Sequence, residues 1–208
     1  MVETINGVFP LEEKELMQFR EATFRIKLLR WEELPDFGIY SDQVLTIIEN
    51  QLLFLQQTED DRIITPAMVN NYVKYRLIER PIKKKYYKIH IAKLIVISLL
   101  KQVLPLTDIE KGMALQTALK GNEVAYNTFC DEVEQSFQRL YDCLGRNKEF
   151  SFTVDHISNE NLALKMVTLS LASKLLTQQI ITLNGARNLN EIAAPTDVTV
   201  KGENSFEK

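Results

Sequence analysis

Hydrophobic positions recur along most of this chain every three to five residues, the rhythm of helices with one face turned inward. Pro10 to Leu29 carries Leu16, Phe19, Phe24 and Leu28 in that pattern. Trp31 leads into a turn-rich break, Leu34-Pro35-Asp36-Phe37-Gly38. Ser41 is a suitable cap for a second helix from Asp42 to Gln57, striped by Val44, Ile47, Ile48, Leu52 and Leu55. The acidic run Thr58-Glu59-Asp60-Asp61 separates it from Thr65-Pro66. Threonine there accepts free amide hydrogens, and proline in the first turn gives up no hydrogen bond, so a short helix from Pro66 to Arg76 is expected. Its inward positions are Val69, Tyr72, Val73 and Leu77, and its opposite face offers Ala67, Asn70, Asn71 and Lys74.

Pro81 stops that helix, and Ile82 to Tyr87 is too charged and too short for a core element, so 80–87 reads as a hairpin-like link. A longer apolar helix, Ile89 to Leu104, follows and ends at Pro105. Thr107-Asp108-Ile109-Glu110 has the form of a capping box for a helix to Lys120. Asn122 to Leu144 and Ser158 to Asn184 read as two more helices. Gly121, Gly145 and Gly185 sit just past three helix ends, where glycine takes the left-handed conformation without steric cost. From Arg187 onward the period is lost and a loose tail is expected. The division that follows is an N-terminal helix and linker over 1–40, a module over 41–120, a helical region over 121–185 and a tail over 186–208.

Composition agrees with an all-α chain. Only 7 of 208 residues are glycine, about half the usual share of about 7%. The most apolar segment, Ile89 to Leu104, carries Lys93 and Lys101, and MVETINGVFPLEEKEL lacks the basic start and apolar run of a signal peptide. A cytoplasmic protein that does not span a membrane is expected. Cys130 and Cys143 are too few and too far apart for a disulfide scaffold, and His90 and His156 have no partner at metal-ligand spacing. No cofactor and no metal are expected. The sequence has no Gly-rich phosphate loop, GxSxG elbow or HExxH motif. Glu132 and Glu134 point to different helix faces and read as solvated, and a spatial pairing of Cys130 with His156 is disfavoured. Catalysis therefore has no support in the sequence.

Charge changes the picture more. Between Arg62 and Lys101 stand ten cations against the single anion Glu79, a local +9 inside a chain of net charge −3. Four of the seven tyrosines (Tyr72, Tyr75, Tyr86 and Tyr87) share that window. A basic patch with interleaved tyrosines suits a polyanion, since tyrosine packs by its ring while its hydroxyl reaches a phosphate.

The order of helix 42–57, turn, helix 66–76, charged link and helix 89–104 fits a winged helix-turn-helix. The stretch from Ile64 to Ile78 resembles the recognition-helix region of MerR-type regulators, as do Pro81, the basic link ending Tyr86-Tyr87 and Leu106-Thr107-Asp108-Ile109. The run from Trp31 to Ile109 is closer still to a family of uncharacterised bacterial proteins described as MerR-like helix-turn-helix proteins. The matching pattern is Trp31, Leu34-Pro35, Asp42-Gln43-Val44, Asn70 to Lys74, Lys84 to Tyr86 and Leu100 to Leu104. The resemblance implies a transcription regulator with a short wing, followed by a helical dimerisation or effector region. On that reading Asn70 and Asn71 read bases, because an asparagine amide bonds adenine N6 and N7 together. Lys74, Lys83, Lys84 and Lys85 contact phosphates, with Thr65, Ala67 and Tyr86 completing the DNA-binding set. The expected partners are double-stranded DNA, a second copy of the chain through helix 159–184, and a small-molecule or protein effector. Two alternatives stand beside this one. One is a helical protein-interaction module with a degenerate helix-turn-helix that does not bind DNA. The other is peripheral attachment of Lys83 to Lys88 to anionic lipid.

Overall fold

The segment Lys88–Leu100 is apolar on every side but for Lys88, His90, Lys93 and Ser98, and a helix of that kind is stable only when surrounded. Ten of its thirteen residues are buried, and the other helices gather around it. The computed structural model describes residues 26–56, 61–144 and 157–192. Its helices are α1 (Ser41–Gln51), α2 (Pro66–Lys74), α3 (Lys88–Leu100), α4 (Leu106–Leu144) and α5 (Leu162–Ile192). Single 3-10 turns lie at Trp31–Glu33 and Leu53–Leu55. Among the described residues no strand forms, only two isolated antiparallel bridges, so the described part of the chain is all-α as expected. No helix among them is long and apolar enough to cross a membrane.

Local chemistry explains most helix ends. Thr65 caps α2 as expected, its hydroxyl accepting the Met68 amide at 3.2 Å, with Pro66 in the first turn. Ser41 is the first residue of α1 rather than its cap; Gln43 instead reaches back to the Tyr40 amide at 2.9 Å. α1 stops at Gln51, and Leu52 turns the chain into the 3-10 turn. α3 ends at Leu100, short of the expected Leu104. Thr107 does not cap α4: the helix already starts at Leu106, and the Pro105 carbonyl takes the Asp108 and Ile109 amides. Gly121, at φ +76°, breaks α4 into arms over 106–120 and 122–144, the one expected stop that the backbone bears out. α5 runs through Gly185 to Ile192, because a lone glycine weakens a helix without terminating it.

The expected helix from Pro10 does not reach Leu29, since residues 26–30 form no helix and the backbone at Arg30 is extended. Their backbone groups bond to side chains of other elements. Leu28 N–H donates to Glu134 Oε1 at 2.8 Å and Leu29 N–H to Gln51 Oε1 at 2.7 Å, while Tyr126 Oη donates to the Leu29 carbonyl at 2.9 Å. A helix would need those same backbone groups for itself. The rest of that helix, residues 58–60 of the acidic run, the closing Gly145 and the tail over 193–208 lie outside the described residues. One hydrophobic core runs from Leu28 through α3 to Leu171 and Ala172 on α5, across both sides of Gly121.

Charge is also used inside this core. Lys165 and Glu132 form a buried pair at 2.7 Å between α5 and α4, beside a Ser136–Thr168 hydroxyl contact at 2.9 Å. Arg30 grips Glu134 with both terminal nitrogens at 2.8 Å and Asp131 at 2.9 Å, and the bond to Glu134 drives its basicity up. Glu132 and Glu134 are therefore ion-pair partners, not the solvated carboxylates their helix spacing suggested.

Candidate functional site

α2 is held from behind. Val69 and Tyr72 are buried, and the Lys101 ammonium donates to the Ile63 carbonyl at 2.6 Å just before the helix. Burial lowers the pKa of that ammonium, which makes it a structural strut rather than surface charge. The outward face then presents Ala67, Asn70, Asn71 and Lys74, all exposed as expected, with Thr65 at the helix start.

The end of α2 is unusual in its residue type. The Leu77 amide reaches back to the Tyr72 carbonyl at 2.9 Å and the Arg76 amide to Val73 at 3.1 Å, while Leu77 and Tyr72 are both buried. This closure needs a left-handed residue between them, where glycine is usual. Here Arg76 takes it, at φ +60°.

Seven residues later, at Lys83, the same choice recurs. Ile82 and Lys85 exchange both backbone hydrogen bonds, at 3.0 and 2.9 Å, around Lys83 at φ +50° and Lys84 at φ +65°. Two consecutive positive φ values make a type I′ turn, whose ordinary residues are asparagine and glycine. The expected hairpin-like link is thus a two-residue hairpin tipped by two exposed lysines. Tyr86 and Ile39 pair at 2.8 and 2.9 Å to hold the hairpin against the start of α1. The close approach needs Gly38, where an added Cβ would lie 2.9 Å from Lys85 Cβ and from the Tyr87 ring.

Arg76, Lys83 and Lys84 are the only non-glycine residues with positive φ among those described. Each such residue costs on the order of 1 kcal/mol over glycine.

The sequence-derived site residues are not all alike. Lys85 is half-buried, with its ammonium 5.7 Å from the Tyr40 ring centre. Tyr86 lies in the core, edge-on to His90 at 5.6 Å, and its hydroxyl bonds Ser41. Its ring therefore supports the hairpin and does not belong to the exposed set. Two residues that the sequence reading counted only as charge belong here: Arg76 and Arg80 join Lys74 around one surface concavity of about 330 Å³. Their signal was membership of the basic window.

That window is thinned by internal pairing. Arg62 bonds Glu49 at 3.2 Å, Lys93 bonds Glu79, and Lys88 lies 5.9 Å from the Trp31 ring centre. Part-burial is the largest single influence on Glu79 and works against its charge, yet the bond from Lys93, a backbone hydrogen bond and the nearby positive charge together hold the carboxyl below its ordinary pKa. Glu79 thus stays ionised beside the concavity but is engaged by Lys93. The exposed remainder is Lys74, Arg76, Arg80, Lys83 and Lys84.

Other reactive groups are occupied elsewhere. Burial pushes the Cys130 thiol up to about 12, far from a nucleophile's range, and His156 lies outside the described residues. Among the described residues no three of His, Cys, Asp and Glu gather as a metal-binding group.

No curated protein and no solved structure matches the chain. A family does match, over residues 29–143, which span the Trp31–Glu33 turn, α1 to α3, the hairpin and nearly all of α4. That is more than half of the 208 residues, and the chain belongs to the family described as "Domain of unknown function (DUF1836)".

Proposed function

We propose that this chain is a sequence-specific DNA-binding regulator of the MerR-like, winged helix-turn-helix kind. α2 enters the major groove, the 82–85 hairpin follows the phosphates as a short wing, and two copies bind two half-sites. One observation carries the reading: the described residues that accept left-handed backbone without being glycine are Arg76, Lys83 and Lys84. Glycine or asparagine would make those turns at lower cost, so the side chains are what the positions retain. A guanidinium and two ammonium groups held outward by turn geometry are phosphate ligands. Asn70 and Asn71 are exposed on the same short helix as Lys74, which supports a role in reading adenine edges. In support of two copies, Leu162, Met166 and Ile181 on α5 remain exposed at 42%, 38% and 63%. A helix whose inner face is already packed gains by covering them.

Selection from a random duplex pool at physiological salt tests this. A two-fold symmetric motif with half-sites one helical turn apart is expected. Replacing Asn70 and Asn71 with alanine is expected to relax the motif more than it weakens non-specific binding. No enrichment at low salt would end the DNA reading in favour of a helical protein-interaction module.

A further inference from the structure

We propose that the partly open apolar cavity between α3, both arms of α4 and the first two turns of α5 is a binding site for a compact, uncharged aromatic molecule carrying one hydrogen-bond donor. The cavity measures about 210 Å³. An apolar cavity of about 150 Å³ takes up benzene, so this one accepts a larger ring system. Its walls include Trp31, Val96, Phe129 and Val167, surfaces suited to flat apolar rings. The charged groups at its edge, Lys93 and Asp108, are of opposite sign, so it favours no net ligand charge.

Gln116 supplies the specific demand. Its Nε2 donates to the Glu160 carbonyl at 3.0 Å, which fixes the orientation of the amide. Gln116 lines the cavity, and its Oε1 is buried without a hydrogen-bond partner, so a ligand donor reaches it by displacing the atoms that cover it. A buried acceptor left unpaired is costly, and a ligand N–H or O–H relieves that cost. Gly112 points the same way. It sits inside a helical arm, where glycine is unfavourable, and a Cβ built there meets nothing within 4 Å. Residues with a side chain would favour the helix, and Gly112 lies on the lining of this space.

Lys93 links the cavity to the basic surface, because it lines one and bonds Glu79 beside Lys74, Arg76 and Arg80 in the other. A ligand in the cavity therefore modulates that surface, a coupling that rests on the DNA-binding reading, whereas ligand binding itself does not.

The probe is N-phenyl-1-naphthylamine, uncharged, aromatic and bearing a single N–H, titrated by fluorescence into the full chain without DNA. Saturable binding of one probe per chain is expected. Gly112→Leu is expected to weaken it at least tenfold while the unfolding midpoint stays equal or rises; Ala125→Phe, on the opposite arm, provides a second block. The N-methylated probe, which lacks the donor, is expected to bind about tenfold more weakly. Non-saturable uptake, or affinity unchanged in both variants, overturns the site. Equal affinity for the methylated probe overturns the role of Gln116. Duplex affinity with and without the probe then reads the coupling. Probe binding without any duplex binding would retain the cavity site and sink the regulator reading.

Discussion

The chain uses its charges in two opposite ways. Around 122–170 they are consumed: Lys165 with Glu132 in the core, Arg30 with Glu134 and Asp131 at its edge. Around 74–84 they are left open, with Lys74, Arg76, Arg80, Lys83 and Lys84 exposed and two turns built at a conformational cost. The first arrangement stabilises the fold and faces no partner; the second weakens the fold slightly and offers cations to something outside it. The difference separates charge that serves architecture from charge available for recognition, a distinction that net charge hides.

Four changes sharpen or break that contrast. Glu132→Ala leaves the Lys165 ammonium buried without its partner and is expected to cost about 3–5 kcal/mol in denaturant unfolding. Adding Lys165→Met should recover most of that loss. If the single variant is as stable as the parent, the buried pair has no architectural role. Next, Lys74, Lys83 and Lys84 changed together to alanine should shift stability by no more than about 0.5 kcal/mol. Their effect belongs in the salt dependence of duplex binding, whose log–log slope should become shallower by up to about 2.7, or about 0.9 per lost phosphate contact. An unchanged slope would show that these lysines face no phosphates.

Lys83→Asn with Lys84→Gly sets the two uses of charge directly against each other. The variant should be more stable by about 1 kcal/mol, because its turn residues suit positive φ, while duplex affinity falls. Gain without loss would leave the strained lysines unexplained. The smallest effect belongs to Glu79, whose surface pair with Lys93 is worth under about 1 kcal/mol. Its carboxyl titrates below its ordinary value in the folded chain, so the pair's contribution is present above the unfolded carboxylate pKa. The contribution disappears as pH falls through the lowered value. Stability measured across mildly acidic pH should therefore lose a small part of its slope in Glu79→Gln.

What could be read from the sequence was what is decided locally. Thr65-Pro66 starts α2 because both residues act within three positions, and the tight link after Pro81 follows from Ile82 and Lys85 closing on each other. Distant partners were invisible. The non-helical path of 26–30 depends on Glu134 and Tyr126, about a hundred positions away, and no local rhythm announces a helix forgone for their sake. The pairing of Glu132 and Glu134 escaped for the same reason, since Lys165 and Arg30 lie on other elements. In the site, the outward face of α2 was legible from periodicity. The inward turn of Tyr86 was not, because its side is set by pairing with Ile39. Arg76 and Arg80 entered only through the backbone that curls them into one concavity with Lys74.

α3 has a further consequence for how the molecule comes apart. Because its residues face α1 on one side and α4 and α5 on others, the part bearing the basic surface and the helical pair share a wall rather than meeting across a seam. Amide hydrogens of residues 91–99 should then exchange only when everything opens at once, and the two parts should melt in a single transition. A fragment ending before α4 would carry the basic face but expose that wall. This face cannot be moved to another chain as a detachable cassette; it travels with the whole bundle or not at all.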